Sequence, residues 1–155
     1  MSCLFLMGQR ALACLALLAV LPLAGAGLEG TQTVSVRGGQ IQVTVTYRNT
    51  SSSPVLLEKL DPGQDPMRPE FEVRSGAREI SYTGPMAKRL PYAREDFFAL
   101  EPGKEHVRKL RIESRYGFPP GRRRYSLAHV FLVWDEQAGA AVSHTLKPVR
   151  FSFGG

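Results

Sequence analysis

Apolar and polar side chains alternate along much of this chain. Val34 and Val36 are interleaved with Ser35 and Arg37; after Gly38-Gly39, Ile41, Val43, Val45 and Tyr47 are interleaved with Gln42, Thr44, Thr46 and Arg48. A period of two is the side-chain repeat of a half-buried strand, and paired glycines suit a tight reversal, so this stretch predicts a hairpin. Residues 54–60 (PVLLEKL) predict a third strand, stopped by the breaker-rich DPGQDPMRP. Phe71 and Val73 predict one inward face of two short strands around Ser75-Gly76. Residues 97–100 precede a Pro102-Gly103 turn. In the strand that follows, Val107, Leu110 and Ile112 break the alternation, which predicts a bulge at Lys109. The strongest strand runs from Tyr125 to Trp134, and after a turn at 137–139 a last strand covers 142–153.

No stretch keeps an apolar period of 3.6 for three turns. The expected class is therefore all-β: an immunoglobulin-like antiparallel β-sandwich of seven to eight strands. Tyr125, shortly after Gly121, is expected to turn its hydroxyl back onto the backbone at a strand corner.

The first 26 residues depart from this pattern. A polar start ends at Arg10, an apolar run covers 11–23, and small residues close it at 24–26. This is the layout of an export signal with cleavage after Ala26. Residues 27–155 are expected to form a single domain, exported to the periplasm or secreted, with no membrane span. Cys3 and Cys14 both fall in the leader, so disulfides, cysteine-zinc sites and cysteine nucleophiles are not expected beyond it. Loss of Arg10 lowers the formal charge from +6 to +5. The basic balance favours acidic partners, while the export signal and the lack of a recognition helix argue against nucleic acid.

Sequence motifs for catalysis are missing: no H-E-x-x-H, G-x-S-x-G, phosphate loop or dinucleotide fingerprint occurs. No enzyme activity, metal or cofactor is expected. His129 and His144 are expected as cross-strand neighbours which, with Asp135 or Glu136, would make a poor zinc shell. Asp61 and Asp65 are better explained by turn chemistry than by calcium. Asn49-Thr50-Ser51 fits the glycosylation triplet. Arg122, Arg123 and Arg124 form the densest charge run, read either as a patch for anionic glycans or as a solvated loop guarding a strand end.

One region carries a more specific pattern. Phe71-x-Val73, a turn with Gly76, Tyr82-x-Gly84, Lys88-Arg89, Glu95-Asp96-Phe97 and Leu100-x-Pro102-Gly103 follow in order. This arrangement resembles the N-terminal β-sandwich pro-region of deuterolysin-like zinc proteases, especially the peptidyl-Lys metalloendopeptidase branch. The likeness extends over about residues 41–127, and the H-E-x-x-H motif of that family's zinc-bearing catalytic domain does not occur in residues 1–155. The resemblance implies a non-catalytic domain that binds an exported metalloprotease in trans, as inhibitor or folding escort. On this reading Lys88 enters an acidic specificity pocket, Tyr82 and Gly84 shape the loop, and Arg89 meets an acidic rim. The competing expectation is purely structural: Gly84 and Pro85 set a turn, and Lys88-Arg89 pair with Glu95 and Asp96.

Overall fold

The computed structural model describes residues 27–59, 68–88 and 90–154. The expected leader, Asp61, Asp65 and Arg89 lie outside these residues. Among the described residues there are ten strands, β1 (Leu28–Arg37), β2 (Gln40–Asn49), β3 (Val55–Glu58), β4 (Phe71–Ser75), β5 (Arg78–Glu79), β6 (Phe97–Leu100), β7 (Glu105–Arg111), β8 (Arg123–Asp135), β9 (Ala140–Thr145) and β10 (Val149–Phe153). The only helical element among the described residues is a 3-10 turn at Arg94–Asp96. No helix among them is long and apolar enough to cross a membrane.

The strands form two antiparallel sheets packed face to face. The smaller has the order β1-β2-β7. The larger has seven strands gathered on β8, whose 13 residues serve four partners. β4 and then β3 line one side of it; β10 and then β9 line the other. The predicted hairpin is present, with Leu28 opposite Asn49 and Arg37 opposite Gln40. Gly38 and Gly39 both have positive φ, which a two-residue hairpin turn requires.

Period-two burial builds the core. Ile41, Val43, Val45 and Tyr47 face Tyr125, Leu127, Phe131 and Val133 across the interface, all buried. Stripping this apolar area from water is the main favourable term in folding. Gly30 lets β1 lie beneath Leu146, since a Cβ there would collide with the leucine's Cδ2.

Three expectations are corrected. The count is ten strands rather than seven to eight, partly because the last run divides: β9 ends at Thr145 and β10 begins at Val149. Pro148 has no N–H for a ladder, and the buried Gln32 side chain reaches into the gap, donating to the carbonyls of Leu127 (3.2 Å) and Lys147 (2.5 Å). The bulge at Lys109 is not formed; β2 and β7 stay in register from Gln42–Arg111 to Arg48–Glu105. Instead Val107 faces outward, 52% exposed, while His106 and Arg108 share the inward side with Leu110. Finally, the Tyr125 hydroxyl has no hydrogen-bond partner among the described residues. Tyr116 fills the expected role, its hydroxyl accepting from the Phe71 N–H (3.0 Å) and donating to the Phe71 carbonyl (2.8 Å).

Asn49 locks the turn between β2 and β3. Its amide donates to the carbonyls of Ser53 (2.8 Å) and Leu100 (2.7 Å), and its oxygen accepts from the Ser51 N–H and hydroxyl. Being wholly buried, it offers no attachment point for a glycan in the folded chain, so the triplet is structural. Replacing Asn49 with Ala strands the buried Leu100 carbonyl and is expected to lower the unfolding free energy by about 1–3 kcal/mol, read as a shifted urea midpoint at constant slope.

Candidate functional site

The segment between β5 and β6 is tied down at both ends and open in the middle. At its first foot Tyr82 pairs with Tyr116 in an isolated bridge. The Thr83 N–H donates to the Arg115 carbonyl (2.8 Å), and the Gly117 N–H to the Ser81 carbonyl (2.9 Å). The Tyr82 ring stands edge-on to Tyr116 at 5.3 Å, and its hydroxyl donates to the Pro85 carbonyl at 3.0 Å. This folds the ring over Gly84: a Cβ there would sit 2.5 Å from the Tyr82 oxygen and 2.6 Å from its Cζ. Tyr82 and Gly84 are thus one clasp, and the glycine is needed for space.

The second foot rests on a buried carboxylate. Glu58 is on the outer face of β3, yet only 4% exposed, with Arg68 and Tyr92 bonded to it. Arg68 Nη2 donates to one oxygen at 2.5 Å and the Tyr92 hydroxyl to the other at 2.9 Å. Tyr92 also packs on Phe97. Lys59 completes the foot, its N–H donating to the Asp96 carbonyl and its Nζ to the Glu95 carbonyl, each at 2.8 Å.

Between the feet, Met86 is 73% and Leu90 85% exposed, and Lys88 is exposed between them. Lys88 forms no hydrogen bond or ion pair with another described residue, so the pairing with Glu95 and Asp96 is not made by this lysine. A recess of about 480 Å³ lies beside the first foot, lined by Thr83, Gly84, Pro85, Arg111, Glu113 and Arg115.

The three arginines of the basic run are exposed but do not act together. Arg123 and Arg124 are successive strand residues and lie on opposite sides of β8, while Arg122 precedes the strand. Arg123 is opposite Phe153 and Arg124 opposite Ser152.

His129 and His144 are not paired across the ladder. His144 lies opposite Phe131 and stacks on its ring at 5.6 Å, two positions along from His129. His129 is fully buried in a polar centre that bridges the two sheets. Its Nδ1 is 2.9 Å from the Glu70 carbonyl, which can only accept, so this nitrogen carries the proton. Nε2 therefore accepts from the Tyr47 hydroxyl at 2.5 Å. With both nitrogens engaged, the ring has no lone pair to offer a metal. Burial, reinforced by the nearby Arg108 guanidinium, holds its pKa down to about 3, and burial pushes the Tyr47 phenol well up. Arg108 from β7 meets the buried Glu70 carboxylate at 2.9 Å.

Sequence reasoning located Tyr82, Gly84 and Lys88 but missed Glu58, Arg68, Tyr92 and Tyr116, which hold the loop, and Met86 and Leu90, which flank its lysine. For Met86 and Leu90 a signal existed: apolar residues within a breaker-rich, basic segment. No protein-family model matches the chain, and no curated protein is similar to it at a significant level.

Two outcomes follow. Because the folded pKa of His129 lies below its ordinary 6.5, the unfolded chain binds more protons between these values. The associated stability is complete above about 6.5 and is lost as pH falls toward about 3. His106 and His144 are also lowered by burial and act in the same direction. Urea titrations across this range should therefore give a shallower acid slope for His129→Gln than for the parent, on top of a loss of about 2–3 kcal/mol at neutral pH. Separately, Gly84→Ala should swing the Tyr82 ring off the loop, so limited proteolysis near residue 88 accelerates while the thermal midpoint moves little.

Proposed function

We propose that this chain is an exported, non-catalytic β-sandwich of immunoglobulin-like type that binds another protein through the loop carrying Lys88. The supporting observation is the exposure of Met86 and Leu90 on either side of Lys88, between two pinned feet. Large apolar side chains presented at a fixed spacing around a cation form a ready contact surface for a partner. Pinning the feet reduces the conformational entropy lost on binding.

The partner that fits this chemistry is an exported metalloprotease with an acidic specificity pocket, in line with the resemblance to protease pro-regions. Lys88 would occupy that pocket as a substrate mimic. Met86 and Leu90 would cover its edges and exclude water, while the neighbouring Arg89 meets the acidic rim. A lysine desolvated against a carboxylate is a typical hot spot, strong only where the rest of the contact is dry. The role is inhibition or escort in trans, with the hydrolytic machinery supplied by the partner.

Titration into exported lysine-cleaving zinc proteases, with a lysyl peptide as substrate, tests this directly. The expected result is reversible inhibition that weakens by at least about thirtyfold in Lys88→Ala and partly recovers in Lys88→Arg. Met86→Ser with Leu90→Ser should weaken it too, with unchanged thermal midpoints. Absence of inhibition and of co-purifying protease at high micromolar concentration removes the reading.

A further inference from the structure

We infer that the outer face of the β4-β8-β10 region is a second, separate binding site, for an acidic polysaccharide bearing uronate or sulfate groups. The inference does not depend on the protein-binding loop. Strand pairing assembles this face from three distant parts of the chain. Arg74 on β4, Ser126 on β8 and Arg150 on β10 form one cross-strand row, and Arg124 and Ser152 form the next. A depression of about 730 Å³ lies over part of this surface, lined by Ser126, Ser152, Gly76, Arg124, Arg150 and Pro148, with Arg74 outside it.

The geometry suits an anion. Arg124 and Arg150 are diagonal neighbours on adjacent strands, about 7–8 Å apart at the backbone. Arg74 and Arg150 flank Ser126 from opposite sides, about 9–10 Å apart across two strand spacings. Guanidinium groups at these separations repel one another until an anion lies between them, and each can clamp a carboxylate or sulfate with two parallel donors. None of the three arginines has an ion pair among the described residues. The carboxylates nearest in register, Glu72 on β4 and Glu79 opposite Arg74, do not line the depression. The hydroxyls of Ser126 and Ser152 in the lining offer donors and acceptors for sugar hydroxyls.

The same surface is poorly suited to other polyanions. Its two aromatic liners are turned toward the core: Tyr125 is buried, and Phe151 stacks on it at 5.4 Å. No ring is therefore presented for stacking nucleic acid bases. The large apolar side chains that are exposed, Val36, Met86, Leu90, Val107 and Val142, all lie outside the depression, so it has nothing to insert into a lipid surface.

Chromatography of the purified protein on immobilised heparin and polygalacturonate, with a salt gradient, tests the site. Retention that falls steeply with salt is expected. The double variant Arg124→Ala with Arg150→Ala should lower affinity at least about tenfold, whereas Arg122→Ala with Arg123→Ala, an equal loss of charge, should change it far less. Matching thermal midpoints show that both variants fold. The inference is overturned by no retention at low ionic strength, by equal losses in the two variants, or by tighter binding to phosphatidylserine vesicles or single-stranded DNA. Substituting Met86, Lys88 and Leu90 should leave heparin binding intact, so this site and the loop succeed or fail independently.

Discussion

The interface between the sheets depends on satisfying a few polar groups placed where alternation predicts hydrocarbon. Arg108 enters from the three-stranded sheet and Glu70 from the edge of the seven-stranded one, meeting at 2.9 Å with little access to water. Beside them His129 and Tyr47 join the sheets by a second bond. A buried ion pair of this kind adds little net stability compared with apolar packing, but removing one partner leaves an uncompensated charge in a low dielectric. The centre therefore restricts how the sheets can pack. Only the observed register places Arg108 opposite Val45, where its guanidinium reaches Glu70.

That register has consequences at the surface. Phe71 is held opposite His129, and three residues earlier Arg68 reaches Glu58. Glu58 then also holds Tyr92, and Tyr116, bonded to Phe71, holds the other end of the same connection through Tyr82. Each foot of the loop is thus attached to a residue fixed by the core. The exposed tip owes its position to these attachments, since the described residues between 84 and 93 make no ladder of their own.

The basic face has the same origin. Arg74, Arg124 and Arg150 are scattered over 76 positions of sequence and come together because β8 pairs with β4 on one side and β10 on the other. The run Arg122 to Arg124 draws attention in the sequence by its density. A strand sends consecutive side chains to opposite faces, so density along the chain does not become density on a surface.

Alternation alone determined the all-β class, the hairpin of β1 and β2, a strong strand within β8, and most of the apolar core. Each of these follows from local sequence, because a period of two maps directly onto burial. The order of short motifs, rather than alternation, drew attention to Tyr82, Gly84 and Lys88. Only the tertiary structure decided that Arg108 and His106 lie inward while Val107 lies outward, that Tyr116 and not Tyr125 anchors a corner, and that the last strand divides at Pro148. These outcomes depend on partners 38 to 115 residues away, such as Glu70 for Arg108 and Lys147 for Gln32. A polar residue can occupy a core position only when a distant group completes its hydrogen bonds, and no local pattern encodes that encounter.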